Sequence, residues 1–191
     1  MLAQTRRFDE ALAEIRKAQE LDPLSPIINA SLGDLLLAAG QADQAGEVLK
    51  KQIALDPSFV VAHQNLGYVY LAQGRLSDAI AEFETMHRLD ASGTYDWDGL
   101  GFAYGRAGRT DEARQVLARL QEIQRQGLDC RVSIAIVLHG LGDDEGALTW
   151  LEEALAQRSH GLEWLNSTRH LNDLRLHPRV QAILRRMNLV K

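Results

Sequence analysis

Between residues 60 and 90 the chain reads VVAHQNLGYVYLAQ, then Gly74 and Arg75, then LSDAIAEFETMHRLD. Apolar residues recur every three or four positions on both sides of the glycine. That is the period of an amphipathic helix, not of a strand. A glycine with one to three polar residues between two such stretches suits the turn of a helix hairpin. The same pattern returns along the chain. Gly40, Gly74, Gly108 and Gly142 stand 34 residues apart, and so do Ala11, Ala45, Ala79, Ala113 and Ala147. Gly33, Gly67 and Gly101 keep that step, each preceded by a leucine, and Pro23 and Pro57 keep it too. Independent columns with one period and no insertion define a tandem array.

The period predicts second helices at about 9–21, 43–55, 77–90, 111–125 and 144–158, and first helices at about 26–39, 60–73, 94–107 and 128–141. Asp9, Asp43, Ser77 and Asp111 share a column at the start of the second helices, where a side-chain oxygen can accept from an orphan amide and an acid suits the helix dipole. Pro23 and Pro57 stop the helices before them. Gly33, Gly67, Gly101 and Ala135 are small where two helices of a hairpin approach, as are the five alanines of the second helices. Leu36, Tyr70, Tyr104 and Leu138, with Ile15, Leu49, Phe83, Leu117 and Leu151, fill the remaining space.

Leu66-Gly67, Tyr70, Gly74, Ala79 and Phe83 in one unit, and Trp97, Leu100-Gly101, Tyr104, Gly108 and Ala113 in the next, carry a resemblance to the tetratricopeptide repeat. It covers about residues 1–159. It implies an all-α fold, a right-handed superhelical solenoid of antiparallel helix pairs with about four and a half repeats and a C-terminal capping helix. The expected units are 1–25 (partial), 26–59, 60–93, 94–127 and 128–159, followed by a capping segment, 160–191. Residues 1–8 are read as the end of a first helix. Val180, Ile183, Leu184 and Met187 lie on one face of the capping helix, as the end of an array requires. Departures are modest: Gln52 stands where the family prefers alanine, and Arg131 and Ala135 occupy its tryptophan and glycine columns. The fifth unit with its tail also resembles the C-terminal end of bacterial multidomain signalling proteins, in which such arrays follow a kinase, a cyclase or a winged-helix domain.

Charge narrows the partners. The net charge of -5 argues against a phosphate-tracking surface. No apolar run approaches the length of a membrane helix, and one cysteine, Cys130, permits no internal disulfide. A cytoplasmic setting is the expectation. The sequons at Asn29 and Asn166 read as chance. No nucleophile elbow, phosphate loop or paired-cysteine metal motif is present. The six histidines show no ligand spacing, and Asp143-Asp144-Glu145 reads as a solvated helix start. Neither catalysis, a cofactor nor a metal is expected.

What remains is a surface. The resemblance implies that ligands meet the first helices on an inner, concave face. The columns there give the candidate groove Asp34, Gln64, Tyr68, Leu71, Tyr95, Asp98, Phe102, Arg106, Ile136 and His139. It is apolar and aromatic with scattered acids. Asn65 matches one asparagine of the family's acidic-tail clamp, but Ala30, Ser31, Asp34, Val61, Tyr95 and Gly99 do not match the rest. The expected function is a non-catalytic protein–protein interaction scaffold that takes a peptide or helical segment with apolar anchors and a basic flank. The alternative is a regulatory segment of a larger signalling protein. Self-association through the N-terminal half-repeat is a further expectation, because its second helix would lack a partner.

Overall fold

The computed structural model describes residues 2–90, 97–165 and 169–190. Among these, nine helices form the repeating part: α1 (Leu2–Leu21), α2 (Pro26–Ala38), α3 (Ala42–Leu55), α4 (Val60–Ala72), α5 (Leu76–Leu89), α6 (Asp98–Arg106), α7 (Thr110–Arg125), α8 (Arg131–Gly140) and α9 (Asp144–Gln157). Two 3₁₀ turns, Leu162–Trp164 and Arg169–Leu171, lead to the short α10 (Asn172–Arg175) and to α11 (Pro178–Arg186). The fold is all-α, and α2 pairs with α3, α4 with α5, α6 with α7 and α8 with α9. The chain divides into two compact units, Met1–Tyr95 and Asp96–Lys191. The tail from residue 160 therefore belongs to the second unit.

The hairpin turns follow from one residue type. Gly40, Gly74, Gly108 and Gly142 have φ between 72° and 83°, a region that costs glycine little and other residues more. Each turn closes with the same two bonds. The Gly40 N–H donates to Leu37 O and the Gln41 N–H to Leu36 O; Gly74 and Arg75 repeat this with Leu71 and Tyr70, Gly108 and Arg109 with Gly105 and Tyr104. This is the Schellman closure, which satisfies the last carbonyls of the first helix. The residue after the glycine then covers the ring beneath it: the Arg75 guanidinium lies 4.2 Å from the centre of Tyr70, and that of Arg109 4.4 Å from Tyr104.

Two local expectations are corrected. The acidic column does not cap the second helices. Gln41, Arg75 and Arg109 take the N-cap position without a side-chain capping bond, and Asp43 and Asp111 sit one step inside the first turn. The Schellman closure hands the cap to the residue just after the glycine. Only at α9 is that residue an acid: Asp143 accepts from the Gly146 N–H at 2.9 Å. The second correction is at the start. Residues 1–8 are not the end of a separate helix, because α1 runs unbroken from Leu2. The position that would hold the turn glycine is Arg6, so nothing favours a left-handed residue there.

The small columns act as read. A Cβ added to Gly33 would lie 2.7 Å from the Leu49 side chain, and one on Gly67 2.6 Å from the Phe83 ring. Ala45, Ala79, Ala113 and Ala147 are fully buried. Gln52 also finds a reason. It is 1% exposed and accepts from Asn29 Nδ2 at 3.0 Å, while Asn29 also donates to Pro23 O and accepts from Gln19. Buried Asn29 is thus engaged on every side and is no open glycosylation site. At the C-terminus α11 buries Val180, Ile183 and Leu184 and packs on α9. Arg179 locks the contact with paired bonds of 2.7 Å to both Glu152 oxygens and one of 2.9 Å to Glu145.

Candidate interaction faces

The candidate groove residues fall into both units. In unit one they stand on α2 and α4, which pack side by side. Asp34 is exposed, and Gln64, Tyr68 and Leu71 are half-buried. Tyr68 is held from below by Phe83, edge-on with ring centres 5.2 Å apart. Ile27, on the same helix as Asp34, is 63% exposed. The face is open, apolar at its floor and acidic at Asp34. Asn65 donates to Ala30 O at 3.1 Å, so the clamp asparagine is engaged in joining α4 to α2. Tyr95 lies outside the described residues, as does the sequon at Asn166.

In unit two the corresponding residues stand on α6 and α8, and most of them are closed off. Phe102 and Asp98 are 8% exposed, His139 3% and Ile136 2%; of the five only Arg106 is exposed. Two causes can be read. First, α6 and α8 cross backbone to backbone: a Cβ at Gly105 would meet the Gly140 carbonyl carbon at 2.5 Å, and one at Gly140 would meet Phe102 Cα at 2.7 Å. Second, the tail lies on this face. The 3₁₀ turn Arg169–Leu171 packs against α8, and the His170 ring centre is 5.3 Å from that of Phe102. His139 flanks the same phenyl ring at 5.9 Å, and Asp173 reaches to 3.9 Å from Arg106. Leu171 and Leu174 of the same segment are buried.

His170, Asp173 and Asp144, which bonds His139 Nδ1 at 2.6 Å, were not among the sequence candidates. His170 and Asp173 lie outside the repeat, so no column could have flagged them. Burial beside His139 pushes the His170 imidazole down to about 4 from its ordinary 6.5. His170 Nε2 is buried, although part of the residue reaches the surface.

Elsewhere in unit two, Trp97, Leu100 and Tyr104 of α6 and its flank, with Val116 and Arg119 of α7, line a shallow cleft of about 330 Å³. Arg119 lies over the Trp97 ring at 4.4 Å. Among the described residues no group of three or more His, Cys, Asp or Glu could hold a metal ion. Nor is any described helix long and apolar enough to cross a membrane.

Paired helices, Schellman turns at a fixed step and small residues at every hairpin contact define a helix-hairpin repeat protein. Sequence models of the tetratricopeptide repeat match residues 2–58, 36–92, 99–119 and 128–158, and the chain belongs to that family. A search of curated proteins finds no match. Among solved structures, the chain is similar to TTC0263, a thermophilic tetratricopeptide repeat protein of Thermus thermophilus, with 23% identity over 92% of this chain and 94% of that one and a TM-score of 0.66. It is also similar to MamA, at 24% identity over 79% and 88% with a TM-score of 0.57. A third is YrrB, described as a tetratricopeptide repeat protein with an unusual peptide-binding site, at 19% identity over 90% and 89% with a TM-score of 0.55. At these identities the likeness is one of fold.

Proposed function

We propose that the chain is a protein–protein interaction scaffold and that its open site is the first-helix face of unit one. The observation that carries this is the pairing of a pre-set aromatic floor with an exposed acid. Tyr68 is braced by Phe83 yet keeps surface exposed, with Gln64 and Leu71 beside it and Asp34 and Ile27 on the neighbouring helix. A braced tyrosine loses few rotors on binding and offers a large area, which suits it to anchor a partner. Asp34 favours a basic flank and repels an acidic one. The ligand class is a peptide or helical segment with an apolar anchor next to Lys or Arg. The peptide-binding site of YrrB is consistent with this use of the fold.

The test is recovery of partners with the intact chain, then calorimetry on variants of it. Tyr68→Ala is expected to weaken binding by about 1–3 kcal/mol, the range of an interface hot spot. Glu84→Ala, on the exposed side of α5, is expected to leave it unchanged. A partner that is indifferent to Tyr68 but lost with Glu84 would place the site on the second helices.

A further inference from the structure

The face that is open in unit one is filled in unit two, and what fills it is informative. Asp34, Tyr68, Phe102 and Ile136 form one 34-residue column, and Leu71, Gly105 and His139 belong to another. In unit two Phe102 and His139 of these columns meet the segment 169–175: the His170 ring lies against Phe102 and beside His139, Asp173 approaches the neighbouring Arg106, and Leu171 and Leu174 are buried. The segment is one 3₁₀ turn and a four-residue helix. Pieces this short do not hold themselves in water, so docking is what orders them. We propose that the first-helix face of unit two is a peptide-binding face whose resident ligand is the chain's own segment 169–175, and that the segment stays only while His170 is uncharged.

The surroundings explain the condition. His170 shares the Phe102 ring with His139 on α8, and the Arg106 guanidinium of α6 lies over the same ring at 5.9 Å. A proton on His170 would be buried beside the His139 imidazole, with the Arg106 guanidinium on the same phenyl ring. Of the acids on the elements packed here, Asp144 of α9 bonds His139 Nδ1 at 2.6 Å, Asp173 of α10 faces Arg106, and Asp98 of α6 accepts from the Gly99 N–H. Arg175 of α10, in the same segment, is a partly buried cation. His139 Nε2 is itself buried with no hydrogen-bond partner among the described residues. The sign is fixed by the depressed imidazole. Docking is at full strength above about 6.5, the ordinary value, and weakens as the pH falls toward about 4.

Two readouts on the full-length chain test this, and neither requires a partner for unit one. Amide hydrogen exchange, corrected for intrinsic rates, is compared at pH 7.5 and pH 5. Protection of 169–175 is expected to fall by about 30-fold, the ratio that a shift from 6.5 to 4 gives over that interval. The chain carrying His170→Phe keeps a ring against Phe102 and should hold its protection at both pH values. That variant separates His170 from His177, which caps α11 by accepting from the Arg179 N–H and is present in both proteins. The second readout is the fluorescence anisotropy of a labelled peptide copying residues 169–177 with Phe in place of His170, so that the probe stays neutral there. It should bind the wild-type chain up to about 30-fold more tightly at pH 5 than at pH 7.5, because the face has been vacated, and gain nothing on the His170→Phe chain. Equal protection of 169–175 at the two pH values, a parallel fall in wild type and His170→Phe, or a peptide that gains nothing at pH 5 overturns the proposal.

Discussion

Units one and two share their columns but use them differently. In unit one, the column of Asn29 and His63 ties each first helix to the loop before it: Asn29 Nδ2 donates to Pro23 O at 3.1 Å, and His63 Nε2 lies 2.9 Å from Pro57 O while its Nδ1 lies 2.6 Å from Glu82. In unit two the same column holds Trp97, beneath Arg119, and Arg131, bonded to Asp129 and Glu153. In both units the glycine turns and the buried alanines keep one conformation. The invariant columns therefore define the hairpin, and the variable ones decide what each face offers. Unit one leaves Tyr68 and Asp34 on the surface. Unit two buries Phe102, Ile136 and His139 there and lays its own tail against Phe102 and His139.

The largest effect that would break this comparison is expected from the tail's leucines. Leu174 is 4% exposed and Leu171 2%. Truncating a buried leucine to alanine costs about 2–5 kcal/mol. Leu174→Ala should therefore lower amide protection in α8 and in residues 169–175. The helices of unit one should keep theirs. If Leu174→Ala leaves unit two as protected as before, the tail is an ornament and the closed face must owe its closure to the α6–α8 crossing alone.

Next in size is a test of that crossing. A Cβ at Gly140 would lie 2.7 Å from Phe102 Cα and 2.9 Å from its carbonyl oxygen, both backbone atoms of α6. At Gly67 in unit one the obstacle is the Phe83 side chain, which can turn. Overpacking costs about 1–3 kcal/mol, and the better helix propensity of alanine returns about 1 kcal/mol at either site. Denaturant titration should show Gly140→Ala as clearly destabilising and Gly67→Ala as the milder of the two. The reverse order would mean that α6 and α8 separate more easily than a phenyl ring shifts.

The sequence made the hairpins legible because their causes are local. A residue that must adopt positive φ, a small residue at a close contact and an apolar stripe each leave a mark within a few positions, and the 34-residue step repeats the mark. The unbroken α1 was misread as two pieces, although Arg6 in the glycine column offers no turn residue there. The caps were misjudged because the Schellman closure assigns the N-cap by geometry, whatever the acid two positions later offers. The closed face of unit two was not legible. His170 meets Phe102 across a large gap in the chain, and no period relates them. The column logic that pointed to Phe102, Ile136 and His139 as candidates is blind to a tail that lies outside the repeat.

The smallest expected effect sharpens what holds that tail. Arg106 and Asp173 approach to 3.9 Å, but their side chains are 47% and 75% exposed. A pair this open sits in high dielectric and is screened by salt, so it contributes about 0–1 kcal/mol. Asp173→Asn should hardly change the denaturation midpoint of unit two. Raising the salt concentration should likewise leave the protection of 169–175 in place. The leucines, by contrast, bury apolar surface that salt does not screen, and the tilted contact of His170 with Phe102 depends on the ring staying neutral. A tail released by Asp173→Asn, or by salt at neutral pH, would show that charge does the holding. The acid sensitivity would then have to be traced to Asp173 and Arg106 rather than to His170. Comparing Asp173→Asn with His170→Phe at pH 7.5 and pH 5 tells the two apart, because only a His170-based lock loses its pH dependence in the second variant and keeps it in the first.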